Sequence, residues 1–281
     1  MTLFVERQTR FIDDANESLN DGLVSWWLVE QDSLGGILFY DIAGIYNGTL
    51  TAMAPASDWV APTRRGSQGA LDFEGINDWV NVGTHAAYNT PDYTLAAWIM
   101  IQGDGGGSGA NRNPIIAHAL TTTDPSHYYF HLDNADDLLR LDAPFVKGNV
   151  IVGSTALSRD VWHHVALTKK GTLYNVYLDG LPDATPVVDG DAPTLAGNLE
   201  IGGFLFPGTD NFFNGQMDDL KVYRRGLDDE EIARMYRVSL EGYPGPFVTM
   251  LFPALEVAAG AIMSQLQGAN VGADLYNGTL Q

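Results

Sequence analysis

Three groups of side chains in this sequence have types and spacing that could do chemistry. Trp98, Tyr128, Tyr129 and His131 alternate along strand-like runs, and such rings are surfaces on which a sugar could stack. Trp98, Tyr128 and His131 are therefore the candidate ligand-binding residues, with packing in a core as their competing use. Asp133, Asp136 and Asp137 read as a loop after the run HYYFHLD. His163 and His164 follow Trp162, but one must face in and the other out, and neither pairs with a nucleophile by spacing. No G-x-S-x-G marks an acyl-transfer serine. The absence of Cys excludes disulfides, thiol nucleophiles and thiolate metal sites.

The charge narrows the partners. Thirty-five acidic residues, 26 of them Asp, stand against 15 Lys and Arg, giving a formal charge of −20. Such a surface repels phosphate backbones, and no basic patch offsets it, so nucleic acid is excluded as a partner. The excess of Asp over Glu fits loops, divalent-cation binding or a saline setting, and a merely soluble acidic surface explains it as well. The glycine-rich stretch 103–113, GDGGGSGANRN, lacks the Lys-Ser/Thr ending and the following helix of a phosphate loop. It reads as a mobile insertion on the rim of the fold.

These residues must be positioned by strands. From residue 22 to about 223 the chain is a succession of short aromatic and β-branched runs between turn residues, among them LVSWWLVE, GALDFEG, YTLAAWIMI and WHHVALTKK. Asp179-Gly180 after LYNVYL is a hairpin signal. One helix is expected in DDEEIARMYRVSL, with acids in its first turn and Ile232, Met235 and Tyr236 on one face. The run EGYPGPF then breaks the chain. The expected organisation is an N-terminal arm at 1–20, a β domain at 21–238 and a C-terminal extension at 239–281 that serves assembly or anchoring. No basic and apolar leader opens the sequence, and the most apolar stretch, 247–263, carries Pro253 and Glu256 and is a poor membrane span. The pentapeptide YNGTL occurs at 46–50 and again at 276–280. Its Asn-Gly favours a tight turn; the second copy reads as a local turn or as a strand added to a sheet edge, in cis or in trans.

Four segments in this order resemble the LamG-like (laminin G, concanavalin A-like) jelly-roll family. They are GLVSWWLVEQDS with YDIAGIYNGTL, then GALDFEGINDWVNVG, then WHHVALTKKGTLYNVYLDG, and last FNGQMDDLKVYRRGLDDEEIARMY. The resemblance covers roughly residues 21–238 and implies an all-β jelly-roll sandwich with one short C-terminal helix. It places Trp162 as a plug of the sandwich core and Gly215 at a close strand passage. It also implies a structural Ca2+ where the opening acidic loop meets the closing strand, with Glu30 and Asp218 as ligands and Asn77-Asp78 as a further candidate. Turn and hairpin hydrogen bonding is the competing use of those residues. Glucanases of this kind carry acid and nucleophile on one strand as Glu-x-Asp-x-x-Glu, and none of the nine Glu here stands in that spacing.

The expectation is a non-enzymatic, displayed structural or recognition protein. It would be a virion component, a phage capsid decoration or tail part, that binds surface glycans or neighbouring proteins, with arm and extension contacting other copies or virion proteins. A bacterial carbohydrate-binding or adhesion module is the alternative, and a glycoside hydrolase relative the third. Localisation would be on a virion or an extracellular surface.

Overall fold

The computed structural model describes residues 19–29, 36–61, 63–64, 66–108, 112–119, 128–143, 148–189, 197–205 and 210–241. All of them fall in one compact unit spanning 9–244. Residues 1–18, within the expected arm, and 242–281, with the second YNGTL, lie outside the described residues, as does Glu30.

The strands in chain order are β1 (Leu23–Trp27), β2 (Leu38–Phe39), β3 (Gly48–Thr51), β4 (Trp59–Val60), β5 (Ala70–Glu74), β6 (Trp79–Gly83), β7 (Tyr93–Ile101), β8 (Arg112–Ala119) and β9 (Tyr128–Asp133). They continue as β10 (Leu139–Ala143), β11 (Gly148–Val152), β12 (Trp162–Lys170), β13 (Leu173–Leu178), β14 (Leu181–Pro182), β15 (Val187–Val188), β16 (Asn198–Ile201), β17 (Gly203–Phe204), β18 (Asn211–Phe212) and β19 (Asn214–Tyr223). A single-turn helix α1 (Pro55–Asp58) precedes β4, and α2 (Asp229–Glu241) follows β19. One sheet runs β14-β13-β12-β7-β19-β5-β4, with β1 on β19 and β15 on β13; the other runs β11-β10-β9-β8-β16-β6-β3-β2. The described pairings are antiparallel, as in a jelly roll.

The period-2 pattern decides what each sheet buries. Trp27, Phe73, Leu95, Ile99, Leu167 and Met217 from the first sheet meet Phe39, Val80, Ile116, Phe130, Leu141 and Ile201 from the second. The other face of the first sheet presents Trp26, Ala96, Ala166 and Tyr177 to Ile232 and Met235 of α2. Ala96 and Ala166 are direct register partners, and two such small side chains leave the depth a helix needs. Burying Ile232 and Met235 contributes about 1.5–3 kcal/mol each. Asp228 caps α2: its Oδ1 accepts the Glu231 N–H at 2.9 Å, and its own N–H donates to Glu231 Oε2 at 3.0 Å. The expected first-turn acids thus have a structural task, and Glu231 also pairs with Arg225 at 2.7 Å.

Several expectations meet a different outcome. The helix runs to Glu241, one residue past the expected run DDEEIARMYRVSL, and Ser239 is buried. At the other end Leu19, the first described residue, is buried and its carbonyl accepts the Tyr223 hydroxyl at 2.9 Å. Trp162 does not plug the core; it is part-exposed at the start of β12 and donates to Thr63 Oγ1. Asn47-Gly48 is no turn, because Gly48 opens β3 where a Cβ would stand 2.3 Å from Val80 Cγ1. The described part of the glycine-rich stretch, 103–108, is tied to the sheet edge. Gly106 and Phe212 exchange backbone hydrogen bonds at 3.1 and 2.9 Å, and a Cβ on Gly105 would lie 2.1 Å from the Arg112 carbonyl. Asp179-Gly180 does make the expected tight hairpin, with φ of 50° and 79°. Gly215, at φ 144°, does sit where a Cβ would meet the Met100 carbonyl at 2.1 Å.

Candidate functional site

Helix α2 packs on the outer face of one sheet; the outer face of the eight-stranded sheet presents its own row of side chains. Register aligns one row across it: Asp142 beside Tyr129, Tyr129 beside Ala117, Ala117 beside Glu200, Glu200 beside Asn81 and Asn81 beside Thr49. The alternation in DWVNVG places Trp79 and Asn81 on this face while Val80 and Val82 enter the core. In β3, Thr49 and Thr51 point out while Leu50 points in.

The row has an open and a roofed half. Thr49 and Asn198 are exposed, and Thr51, Trp79 and Asn81 are half-buried. Beyond Asn81 the chain turns at Gly202, with φ 69°, and folds back over the sheet. Phe204 then stacks on Tyr129, ring centroids 4.2 Å apart at 15°, and the Leu205 N–H donates to Glu200 Oε2 at 2.9 Å. Under this roof Tyr129, His131, Asp142 and Glu200 are all buried.

Buried polar groups ordinarily find partners, so those that lack one point to what the surface is shaped to meet. Asn81 Oδ1, Tyr129 Oη, His131 Nδ1 and Asp142 Oδ1 have none of good geometry among the described residues. Asp142 Oδ2 is engaged, 2.9 Å from Arg112 Nη1 and 3.2 Å from His131 Nε2. Burial alone would raise the Asp142 carboxyl, but His131, Arg112 and Arg140 outweigh it and hold the group below its usual range. Burial dominates at Glu200, where the Leu205 N–H opposes it only in part and the carboxyl is pushed up to about 8. One end of the row is thus ionised and the middle is a neutral acid at pH 7.

The sequence-predicted ligand residues do not share a face. Trp98 lies beneath α2, donating to Ser239 Oγ at 2.9 Å with the Arg64 guanidinium 4.5 Å from its ring centroid. Tyr128 packs between the sheets, 4.9 Å from Tyr93. Of the three, His131 alone reaches the outer face of the eight-stranded sheet, and there it is buried against Tyr129, centroids 4.4 Å apart. The physical reason is the strand period: neighbours such as Tyr128 and Tyr129 go to opposite sides.

Of the candidate metal ligands, Asp218 and Asp78 are described, and each is held by protein donors. Asp218 Oδ1 accepts the Val29 N–H at 3.0 Å, while Oδ2 accepts Arg64 and Ser67, both at 2.7 Å. A guanidinium therefore stands where a cation would be coordinated. Asp78 is buried in the turn between β5 and β6, its Oδ2 taking the Glu74 N–H at 3.1 Å. Burial and the charges of Glu74, Asp58 and Asp72 push its carboxyl up to about 6. Among the described residues, which leave out Glu30, no group of three or more His, Asp or Glu could hold a metal ion.

Residues 74–233 match the family described as the concanavalin A-like lectin/glucanases superfamily, more than half of the chain. The chain belongs to that superfamily. No curated protein sequence matches it. Among solved structures, a mutant Trypanosoma rangeli sialidase displaying trans-sialidase activity aligns with a TM-score of 0.56 at 16% identity over 79% of this chain and 34% of the sialidase. The chain thus spans about a third of that enzyme. Domain 4 of AbnA, a GH43 extracellular arabinanase from Geobacillus stearothermophilus in complex with arabinotriose, aligns with a TM-score of 0.54 at 13% identity, over 76% of this chain and 98% of that domain. The botulinum neurotoxin serotype D binding domain aligns with a TM-score of 0.54 at 16% identity, over 78% of this chain and 51% of the toxin domain. At these identities the likeness is one of fold, that of a jelly-roll sandwich.

Thr49, Thr51, Trp79, Asn81, Asp142 and Glu200 were not singled out by sequence reasoning. The alternation in DWVNVG carried a signal for Trp79 and Asn81; no local pattern placed Glu200 beside them, because its register partner Asn81 lies 119 residues earlier in the chain.

Proposed function

We propose that this superfamily member is a non-enzymatic recognition module that holds carbohydrate on the outer face of its eight-stranded sheet. The observation that carries the reading is the open strip of Trp79, Asn81, Thr49 and Thr51, continued inward by buried polar atoms that lack partners among the described residues. A half-exposed indole beside amide and hydroxyl groups suits the apolar faces and rim hydroxyls of a sugar ring. The arabinotriose complex of the arabinanase domain supports the same ligand class on this fold. The two carboxylates of the row support binding without hydrolysis. Asp142 and Glu200 stand three strand spacings apart, about 14 Å between Cα atoms, whereas glycosidases place theirs about 5–10 Å apart.

Titration calorimetry against a glycan panel tests the reading. Trp79→Ala and Asn81→Ala should each weaken the best ligand at least about tenfold, or 1.4 kcal/mol, with unchanged circular dichroism. Binding that survives both substitutions intact would rule this face out. Display on a virion or another extracellular particle is the finer form of the proposal, supported by the −20 charge and the apolar stretch 247–263. Light scattering of the full chain and of a chain ending at Pro244 tests it: a defined oligomer lost on truncation supports assembly through the extension, and a monomer in both cases removes that support.

A further inference from the structure

We infer that this face recognises the end of a neutral glycan chain and not an internal stretch, an inference that rests on the carbohydrate reading above. The polar row is open at one end only. From Thr49 and Asn81 it runs inward to Glu200, and there the backbone of Gly203, Phe204 and Leu205 closes it. Phe204 is itself buried, and the Tyr129 ring beneath it is occupied by that stack, so no second sugar can continue across the sheet. Along the strands the strip is equally short. A Cβ on Gly203 would stand 2.6 Å from Trp79 Cβ, so backbone bounds the tryptophan on that side. At the other end Thr84 donates to Asn198 Oδ1 at 2.8 Å and ties the ends of β6 and β16 together. Trp79 and Asn81 lie two residues apart, about 6.8 Å, room for one sugar ring.

The chemistry of the blind end matches a terminus. A terminal sugar carries a free hydroxyl where an internal one carries a glycosidic oxygen, and a hydroxyl can donate where that ether oxygen cannot. Asn81 Oδ1, the acceptor at the mouth of the roofed half, is buried and has no donor among the described residues. A site built around an unfilled acceptor discriminates strongly against ligands that cannot donate to it. Asp210 beside Glu200, in a chain of charge −20, disfavours sulfated or carboxylated sugars.

The test uses the full chain and oligosaccharide ladders, dimer to octamer, prepared from arabinan, β-glucan, xylan and mannan. For a ladder that binds, the affinity per molecule should be flat beyond the trimer. One protein should bind per chain end on the parent polymer, and methylating the terminal hydroxyls should weaken binding at least tenfold. Affinity that climbs with length, several proteins per polymer and indifference to methylation would overturn chain-end recognition while leaving the carbohydrate reading intact. No binding by any ladder or polymer would overturn both.

Discussion

Replacing Glu200 by Gln should stabilise the fold at neutral pH, and the gain should grow with pH. Glu200 is 4% exposed, its carboxyl is pushed up to about 8 by burial, and the ordinary value is 4.5. The sign follows from linkage: a raised acid favours the folded state fully below 4.5 and loses that contribution as pH rises through 8, because the unfolded chain ionises first. At pH 7 the difference of about 2.5 units between 7 and 4.5 corresponds to roughly 3 kcal/mol. A neutral amide escapes this cost while its oxygen still accepts the Leu205 N–H. For a domain of this size roughly 3 kcal/mol is about 6–12 °C in Tm. The assay is urea or thermal unfolding of both proteins from pH 4 to pH 9. The two curves should converge near pH 4.5, separate between 4.5 and about 8, and run parallel above that. A separation that does not change with pH would refute the buried neutral acid, and with it the electrostatic description of the roofed half.

Three further outcomes test the interior. Arg64→Met leaves Asp218 buried without its cation and should cost about 3–5 kcal/mol; adding Asp218→Asn should recover most of it, and a single-variant loss below about 1 kcal/mol in denaturant unfolding would contradict the pairing. His164 is buried and neutral, its pKa lowered to about 3 by burial and by Lys221. Its contribution is complete above 6.5 and is lost as pH falls towards 3, by up to about 5 kcal/mol, so His164→Leu should flatten the acid limb of a stability–pH profile. Gly48→Ala should cost about 1–3 kcal/mol by crowding Val80, and Val80→Ala in the same chain should relieve the crowding. Equal costs with and without Val80 would show that crowding is not the cause.

The sequence alone determined the class of fold and much of its wiring. Alternation in LVSWW, YTLAAWIMI and WHHVALTKK is local, and it set which side chains turn inward; Asp179-Gly180 and the acid-rich start of α2 are equally local, and both form as expected. Composition excluded thiol chemistry outright. Tertiary structure alone decided which residues meet. Tyr128 and His131 part because the sheet has two sides, and Trp98 goes beneath a helix whose landing place depends on Ala96 and Ala166 coming together from different strands. Asp218 is matched to Arg64, 154 residues away, by a register that no window of sequence contains. The candidate site has the same origin: Thr49, Asn81, Glu200 and Tyr129 become neighbours only through strand pairing, and a backbone turn at Gly202 then leaves one end of their row open and shuts the other.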